Sequence, residues 1–577
     1  MLVTDLLRRN AHLWARETAL VAVEAANLTD PGPESYLLRR ESLTWEEMNR
    51  QANQIAHFYL SIGIHRGSHV GLMMKNSIEW LPIYFGILKS GAVVVPLNFR
   101  YDADSAVYSI RFADLDALIF DADASSVIQQ ILTRTLGLRS FLYTGSREDC
   151  PAFAFPIQDI WETQPENEPD LPPLEPMEDA AIYFSSGTTG VPKAVVYSHA
   201  TLASACERER YHHGQVHGDC FLCIPPLYHV GAKLHWMANL LVGARAVLLK
   251  GFTVPAFFRV VHQERVTIAF LLLPWLQDIL VALDAGRISD VADALCSLRL
   301  IHTGAQPIPP SVVEQLRQHF PQIALGISYG LTEAGGPGVL NLRMEDIERS
   351  GSVGLPPPGW QAQVVDDAGN ETPPQAPGEL LLKGPHMMSR YYKSEAATEE
   401  VLAGGWLHTG DIACRDIDGY DEKGEKVFSN IGDTLFAVYQ APDSPPFPKS
   451  STVIPERTPD YVCPDYIAPN QNLLYRMSGD TNRLHVDQKE AHKQGFDRPI
   501  MQGLCSFGYA CRLAVRELIP HAPERMTSME AQFRSPLFPD TKVELHIWKV
   551  QDGLAYFRML APEKKQIVLE KGCFMWK

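Results

Sequence analysis

The chain has 577 residues, more than a single hydrophobic core organises, so two or three domains are expected. Lys and Arg number 51 against 68 Asp and Glu, a formal net charge of −17; this excludes a general nucleic-acid or anionic-membrane surface and requires any anionic ligand to be caught locally. Ten Cys without a disulfide-like framework, no apolar signal segment in "MLVTDLLRRN" and no apolar run of about 18 residues lead to the expectation of a reducing, cytoplasmic compartment and no membrane span.

From residue 1 to about 420, apolar strand-like runs alternate with helical patterns: "HVGLMMKNS", helical "EWLPIYFGILKSG", then "AVVVPLN", and later "ARAVLLKGF" and "VTIAFLLLP". Short strands separated by helices indicate layered α/β sheets, largely parallel. Within this region Cys220 and Cys223 form a Cys-x-x-Cys in "DCFLCIPPLYH"; no second ligand pair follows at a zinc-like spacing, and the segment reads as a buried strand. Residues 421–455 carry Pro442, Pro445, Pro446, Pro448 and Pro455 and read as an extended linker. Residues 456–577 read as a separate α+β domain: a short helix near Gln471–Met477, a longer one near Leu504–Leu518, and strands in "MEAQFRSPLF", "KVELHIWKV", "LAYFRML" and "IVLEKGCFMW".

The densest chemical signal is "YFSSGTTGVPKAVV", Tyr183 to Val196. Gly and small hydroxyl residues let backbone N–H groups approach a polyphosphate, hydroxyls donate, and a Lys adds a point charge. The spacing is not that of a Walker A loop, because Val191 and Pro192 stand before Lys193. A flexible surface turn would share the composition but not the flanking strands.

With this loop, residues 1–420 resemble the large domain of the adenylate-forming (AMP-binding) acyl-CoA synthetases. The agreement runs in order through "KSGAVVVPLN", "PPLYHVGA", "LRLIHTGAQPI", "SYGLTEAGG", "GSVGLPPPG" and "GWLHTGD". The resemblance implies ATP-dependent activation of a carboxylic acid to an acyl-adenylate, then transfer to CoA or a carrier protein. It implies a phosphate loop of Ser185, Ser186, Gly187, Thr188, Thr189 and Lys193, and an adenine frame of Gly304, Ala305 and Tyr329. Thr332 would reach the phosphate, Glu333 would hold Mg²⁺, Asp411 would take the ribose hydroxyls and His229 would border the acid pocket. Lys233 sits where an apolar residue is usual and reads as a snorkelling surface Lys. Ala194 and Ile327 replace a Gly and a polar residue of the family pattern. After "GDIACRDIDGY" the usual small domain with its adenylation Lys does not follow, and Lys426 stands nearest the position of the Arg that holds the ribose in the family.

Residues 456–577 resemble the MaoC-like, type 2 (R)-specific enoyl-CoA hydratases of the hotdog fold, through "LLYRMSGDTNRLHVDQKEAHKQGFDRPIMQGLCSFGYACRL". The resemblance implies that Asp480 and His485, with Asn482, share a water, and that the Gly503 N–H stabilises an enolate oxygen at a helix start. Arg483 replaces the family's Pro and Gln502 a His. A single hotdog repeat implies a homodimer through this domain. The expectation is therefore a bifunctional acyl-thioester enzyme using ATP, Mg²⁺ and CoA. The alternatives are a hydratase or dehydratase whose adenylation region is a nucleotide- or carrier-binding relic, and a non-catalytic scaffold.

Overall fold

The computed structural model describes residues 2–25, 40–185, 193–288, 291–306, 308–341, 353–373, 376–415, 419–420, 426–428, 431–433, 452–476, 483–493, 495–520 and 522–577. The chain divides into two units, Met1–Leu435 and Phe436–Lys577.

Two eight-stranded sheets carry the first unit. One runs, edge to edge, Gly336–Asn341, Ala324–Leu331, Leu300–Gly304, Ile268–Phe270, Cys220–Cys223, Arg245–Lys250, Thr18–Glu24 and Arg40–Thr44. Its interior pairs are parallel and its two outermost pairs antiparallel. The other runs Arg390–Tyr391, Lys193–Ser198, Asp179–Ser185, Val93–Pro96, His69–Met73, Ala117–Phe120, Ser140–Tyr143 and Phe155–Pro156. It is antiparallel at its first two junctions and parallel beyond them. Strands such as Val93–Pro96, Ala117–Phe120 and Cys220–Cys223 are buried along their whole length, the pattern of parallel strands covered on both faces. Burial pushes the Cys220 and Cys223 thiols up to about 12, so both stay protonated and serve the core.

Local sequence explains how the covering helices start and pack. Helix Trp45–Ser61 begins at Thr44, whose hydroxyl accepts from the Glu47 N–H at 3.2 Å while the Glu47 carboxylate accepts from the Thr44 N–H at 2.8 Å; this reciprocal pair satisfies two otherwise orphaned donors. Helix Trp80–Lys89 packs against it with every residue buried. Gly86 sets their approach, since a Cβ there would lie 2.5 Å from the Ile55 Cβ.

The expected parallel texture ends before residue 420. Gln361–Val365, Pro377–Lys383, Leu407–Arg415 and Ile431–Asp433 form a four-stranded antiparallel sheet. The turn after Val365, closed by the Asp366 N–H to the Asn370 carbonyl at 2.9 Å with Gly369 at φ 80°, is too short for the crossover a parallel pair needs.

The second unit is a five-stranded antiparallel sheet in the order Tyr461–Ile467, Thr541–Gln551, Leu554–Ala561, Gln566–Trp576, Met526–Phe533. Helix Gly503–Leu518 lays Cys505, Ala510, Leu513, Ala514 and Leu518 into its core. Four strands and both expected helices match the sequence pattern. The edge strand Tyr461–Ile467 and the short helix Gln488–Lys493 were not anticipated. Pro464 disguises that strand, and an edge position tolerates the donor that proline lacks. Within the stretch expected as an extended linker, Lys426–Phe428 and Ile431–Asp433 are strands, the second paired with Leu407–Arg415 in the first unit; most of the remainder lies outside the described residues.

Candidate active sites

In the first unit the antiparallel hairpin Asp179–Ser185/Lys193–Ser198 places Ser185 and Lys193 as direct register partners, so the phosphate-loop candidate is anchored at both ends by sheet. Ser186, Gly187, Thr188 and Thr189 lie outside the described residues. The hairpin ends open on a cavity of about 810 Å³ whose described wall includes Ser185, Lys193, His229, Thr332, Glu333 and Asp411. Six of the expected site residues, drawn from four separate stretches of chain, therefore meet in one space.

Lys193 rests with its ammonium 4.8 Å from the centre of the Tyr391 ring. The Tyr391 hydroxyl in turn donates to Glu333 Oε1 at 2.8 Å. Burial, then the Glu333 carboxylate, raises the Tyr391 phenol well above its ordinary value, so it remains a donor. Tyr197 donates from its buried hydroxyl to the Thr332 carbonyl. Arg208 donates to the Ala334 carbonyl at 3.2 Å, to that of Gly335, and to that of Pro337 at 3.1 Å, with its guanidinium 4.4 Å from the Trp360 ring centre. These contacts fix the turn that presents Thr332 and Glu333.

Asp411 occupies an exposed position on strand Leu407–Arg415. Its neighbour Gly410, at φ 72°, donates to Glu379 Oε1 at 3.0 Å, and His408 Nδ1 bonds the same carboxylate at 3.0 Å. Tyr329 donates through its hydroxyl to Asp411 Oδ2, joining the adenine-frame candidates to the cavity wall. Tyr329, Gly304 and Ala305 are not themselves among the residues of that wall. Gly304 pairs with Ser328, beside Tyr329, on adjacent parallel strands, and a Cβ at Gly304 would lie 2.8 Å from the Ser328 carbonyl oxygen. Ala305 takes φ 66°, a left-handed backbone that costs a non-glycine residue free energy.

His229 precedes helix Val230–Val242 and lies against Tyr228, ring centres 4.3 Å apart. It is open to the cavity, yet the atoms crowded round its ring, and then the Arg100 charge, lower its pKa, so the imidazole is held neutral. Lys426 opens the short strand Lys426–Phe428; its side chain and that of Lys233 lie outside the described residues. Ala194 and Ile327, the departures from the family pattern, are both buried core positions.

The wall carries Glu333, Glu379, Glu400 and Asp411 against Lys193 among its described lysines and arginines. Such a surface repels a bare polyphosphate and favours one already paired with a divalent cation. The Glu333 carboxylate and the Thr332 hydroxyl are hard oxygen donors that fit Mg²⁺.

In the second unit Asp480 and Asn482 lie outside the described residues. His485 ends the single turn Arg483–His485 and holds its Nδ1 3.0 Å from the Ile500 carbonyl; donation there fixes the tautomer and leaves Nε2 to accept a proton. The Asn472 amide donates to the His485 carbonyl at 2.6 Å, and Gln502 donates to the Asn472 carbonyl at 3.1 Å. Gly503 opens the helix that follows Gln502, with the Phe533 ring 3.3 Å from where a Cβ would stand. Sequence reasoning missed Tyr391, Tyr197, Arg208, Glu379, His408 and Asn472. Of these, only His408 lay inside a quoted motif, "GWLHTGD".

The layered sheets and the cavity between hairpin and turn define the large-domain fold of adenylate-forming enzymes, and the five-stranded sheet with its long helix fits a MaoC hotdog domain. The chain belongs to the AMP-binding enzyme family, whose sequence profile matches residues 8–392, and a MaoC like domain is matched over residues 450–569. It is 29% identical over 382 residues to a feruloyl-CoA synthase of Amycolatopsis sp, covering 66% of this chain and 72% of that protein. It is 26% identical over 384 residues to a 2-succinylbenzoate–CoA ligase of Bacillus cereus, covering 66% and 73%. Among solved structures, the N-terminal domain of FACL13 from Mycobacterium tuberculosis superposes with a TM-score of 0.62 at 22% identity, over 75% of this chain and 100% of that one. The amide bond synthetase McbA from Marinactinospora thermotolerans gives 0.62 at 25%, over 75% and 79%. Among the described residues, no helix is long and apolar enough to cross a membrane.

Proposed function

We propose that the chain is a bifunctional acyl-thioester enzyme, organised as an adenylating domain over 1–420, a linker over 421–455 and a hydratase domain over 456–577. The observation that carries the first activity is the convergence of Ser185, Lys193, Thr332, Glu333 and Asp411 on one cavity. A carboxylate oxygen of the acid attacks the α-phosphorus of ATP, the bond to the pyrophosphate oxygen breaks, and the thiol of CoA then displaces AMP from the acyl carbon. Lys193 and the hairpin loop hold the phosphates, Tyr329 offers a face to the purine, and Asp411 accepts from the ribose hydroxyls. Mg²⁺ bound at Glu333 and Thr332 would supply charge neutralisation on the phosphates. His229, held neutral, borders the acid pocket without adding a charge. Phe184, Tyr101 and Tyr228 in the wall, together with relatives named for feruloyl and succinylbenzoyl substrates, put aromatic acids first among substrates.

In the second unit, Asp480 and His485 activate one water between them: its oxygen bonds C3 of a 2-enoyl thioester while the other proton-transfer group protonates C2. Asn482 orients this pair. The Gly503 N–H, at the start of a 16-residue helix, stabilises the enolate oxygen. Exposed Val462, Leu473, Leu474 and Leu504 support pairing of two such domains, and light scattering of the intact chain should give a dimer. The deciding assay is pyrophosphate release over a panel of aromatic and aliphatic acids, run beside crotonyl-CoA hydration. Release with at least one acid, and hydration of the thioester, are expected. Hydration without release from any acid would reduce the first unit to a nucleotide- or carrier-binding relic, and neither activity would leave a scaffold.

A further inference from the structure

Away from the cavity, the first unit buries four metal-ligating side chains in one place. Glu209, His212 and His213 stand in the last turns of helix His199–His213, three and four residues apart and so on one face. His302 stands in the fully buried parallel strand Leu300–Gly304. Their relative exposures are 0%, 8%, 2% and 0%, and one ligand atom from each lies within 4.8 Å of every other. We propose that these four side chains form a structural site for a divalent transition metal, zinc foremost.

The geometry and the donor set both point there. His213 Nε2 lies 2.9 Å from His302 Nδ1 and 3.6 Å from Glu209 Oε2. Ligand atoms of a tetrahedral zinc site, with bonds of about 2.0–2.1 Å, stand about 3.3 Å apart, between these two distances. His302 Nε2 meets Ser328 Oγ at 2.9 Å; with Nε2–H donating there, the Nδ1 lone pair faces the cluster, the outer hydrogen bond that orients a metal-bound imidazole. Phe221 stacks on His213 and the Phe270 ring meets His302 edge-on, at 5.7 and 5.0 Å between centres, giving the dry wall of a closed site. Gly326 makes room, since a Cβ there would lie 3.1 Å from His212 Nε2. Three imidazoles and one carboxylate suit a borderline cation rather than Mg²⁺ or Ca²⁺, which take oxygen.

Four protein ligands leave no open position, so the site is structural. It clamps the helix that presents Arg208, the residue holding the turn after Glu333, to the strand that ends in Gly304. The rival arrangement is an imidazolium shared among the histidines against Glu209, with no metal.

The test is metal analysis of the intact purified chain by mass spectrometry, followed by chelator stripping and titration with Co²⁺. About one zinc per chain is expected, with a tetrahedral cobalt absorption on reconstitution and a thermal midpoint that falls on stripping and recovers on refilling. Glu209→Gln and His302→Gln should each lose most of the metal. Should either variant fail to fold, stripping and refilling of the parent decides. A parent chain that holds no stoichiometric transition metal and gives no tetrahedral cobalt spectrum would overturn the proposal in favour of the imidazolium pair, as would folded variants that keep full metal content.

Discussion

The two candidate sites are assembled in opposite ways. In the first unit the cavity wall joins residues from the hairpin at Ser185 and Lys193, the helix start at His229, the turn at Thr332 and Glu333, and the strand at Asp411, spread over both large sheets, a covering helix and the smaller antiparallel sheet. In the second, the proton-transfer candidates and the oxyanion donor all fall between Asp480 and Gly503, one continuous stretch of sequence. A dispersed site takes its precision from long-range register, so it tolerates changes such as Ala194 that keep the sheet intact. A local site takes its precision from a few backbone turns, and a single substitution reaches its geometry directly.

The largest expected effect separates the two sites. Asp480→Asn or His485→Gln should lower enoyl-CoA hydration by about 10²–10⁴ while pyrophosphate release is unchanged. Steady-state hydration and pyrophosphate assays on the same preparations check this, and retained hydration would remove both residues from the chemistry.

Next comes Lys193→Ala. Removing the cation that rests over Tyr391 and faces the acidic wall should weaken ATP binding and lower adenylation by about 10²–10³, leaving hydration intact. Calorimetry with ATP and Mg²⁺ gives the binding term, and an unchanged affinity would mean that the hairpin backbone alone holds the phosphates.

The same contrast explains what the sequence reveals. The hairpin loop is legible because Gly, Ser, Thr and Lys crowd into one segment with one physical use, and "SYGLTEAGG" and "GWLHTGD" carry their polar residues at fixed offsets. Glu379, Tyr391 and Arg208 are not legible. Each acts by bonding a site element 31, 58 or 127 positions away, as Gly410 to Glu379, Tyr391 to Glu333 and Arg208 to Gly335 do, and only the tertiary packing of strands and helix brings them there. Strand Tyr461–Ile467 is hidden for a different reason: Pro464 and Asp465 read as loop, and only its edge position permits them. His213 and His302, 89 positions apart, leave no local pattern at all.

Acid should sharpen the comparison through stability. Burial, partly offset by the Glu178 carboxylate, lowers the His199 imidazole from 6.5 to about 4. The unfolded chain therefore binds a proton near pH 6.5 that the folded first unit refuses until about pH 4. Stability present above the unfolded value is lost as pH falls through that window, by on the order of 2–3 kcal/mol. Urea unfolding at pH 7 and pH 5, with the first unit's transition identified by limited proteolysis, should show the loss, and His199→Asn should flatten it. An equal slope in the variant would place the acid sensitivity elsewhere.

The smallest expected effect bears on the local site. Arg483 stands where the family's pattern has a proline, whose fixed φ would order the turn before His485. In this chain the Arg483 carbonyl accepts from the Val486 and Asp487 N–H groups at 3.0 and 2.8 Å, and its guanidinium donates to Asp487 Oδ2 at 2.6 Å. The Arg483 hydrogen bond, followed by backbone donors, holds the Asp487 carboxyl below its ordinary value. The turn is thus tied from within, and the ordering lost with proline is partly replaced. Arg483→Pro should therefore raise hydration by no more than about fivefold, whereas Asp487→Ala, which cuts the tie while keeping Arg483, should lower it by a similar factor. Comparing kcat for crotonyl-CoA in the two variants measures both changes on one scale. A rise far above fivefold in Arg483→Pro would show that the arginine tie contributes little, and that the local site depends on backbone restriction alone.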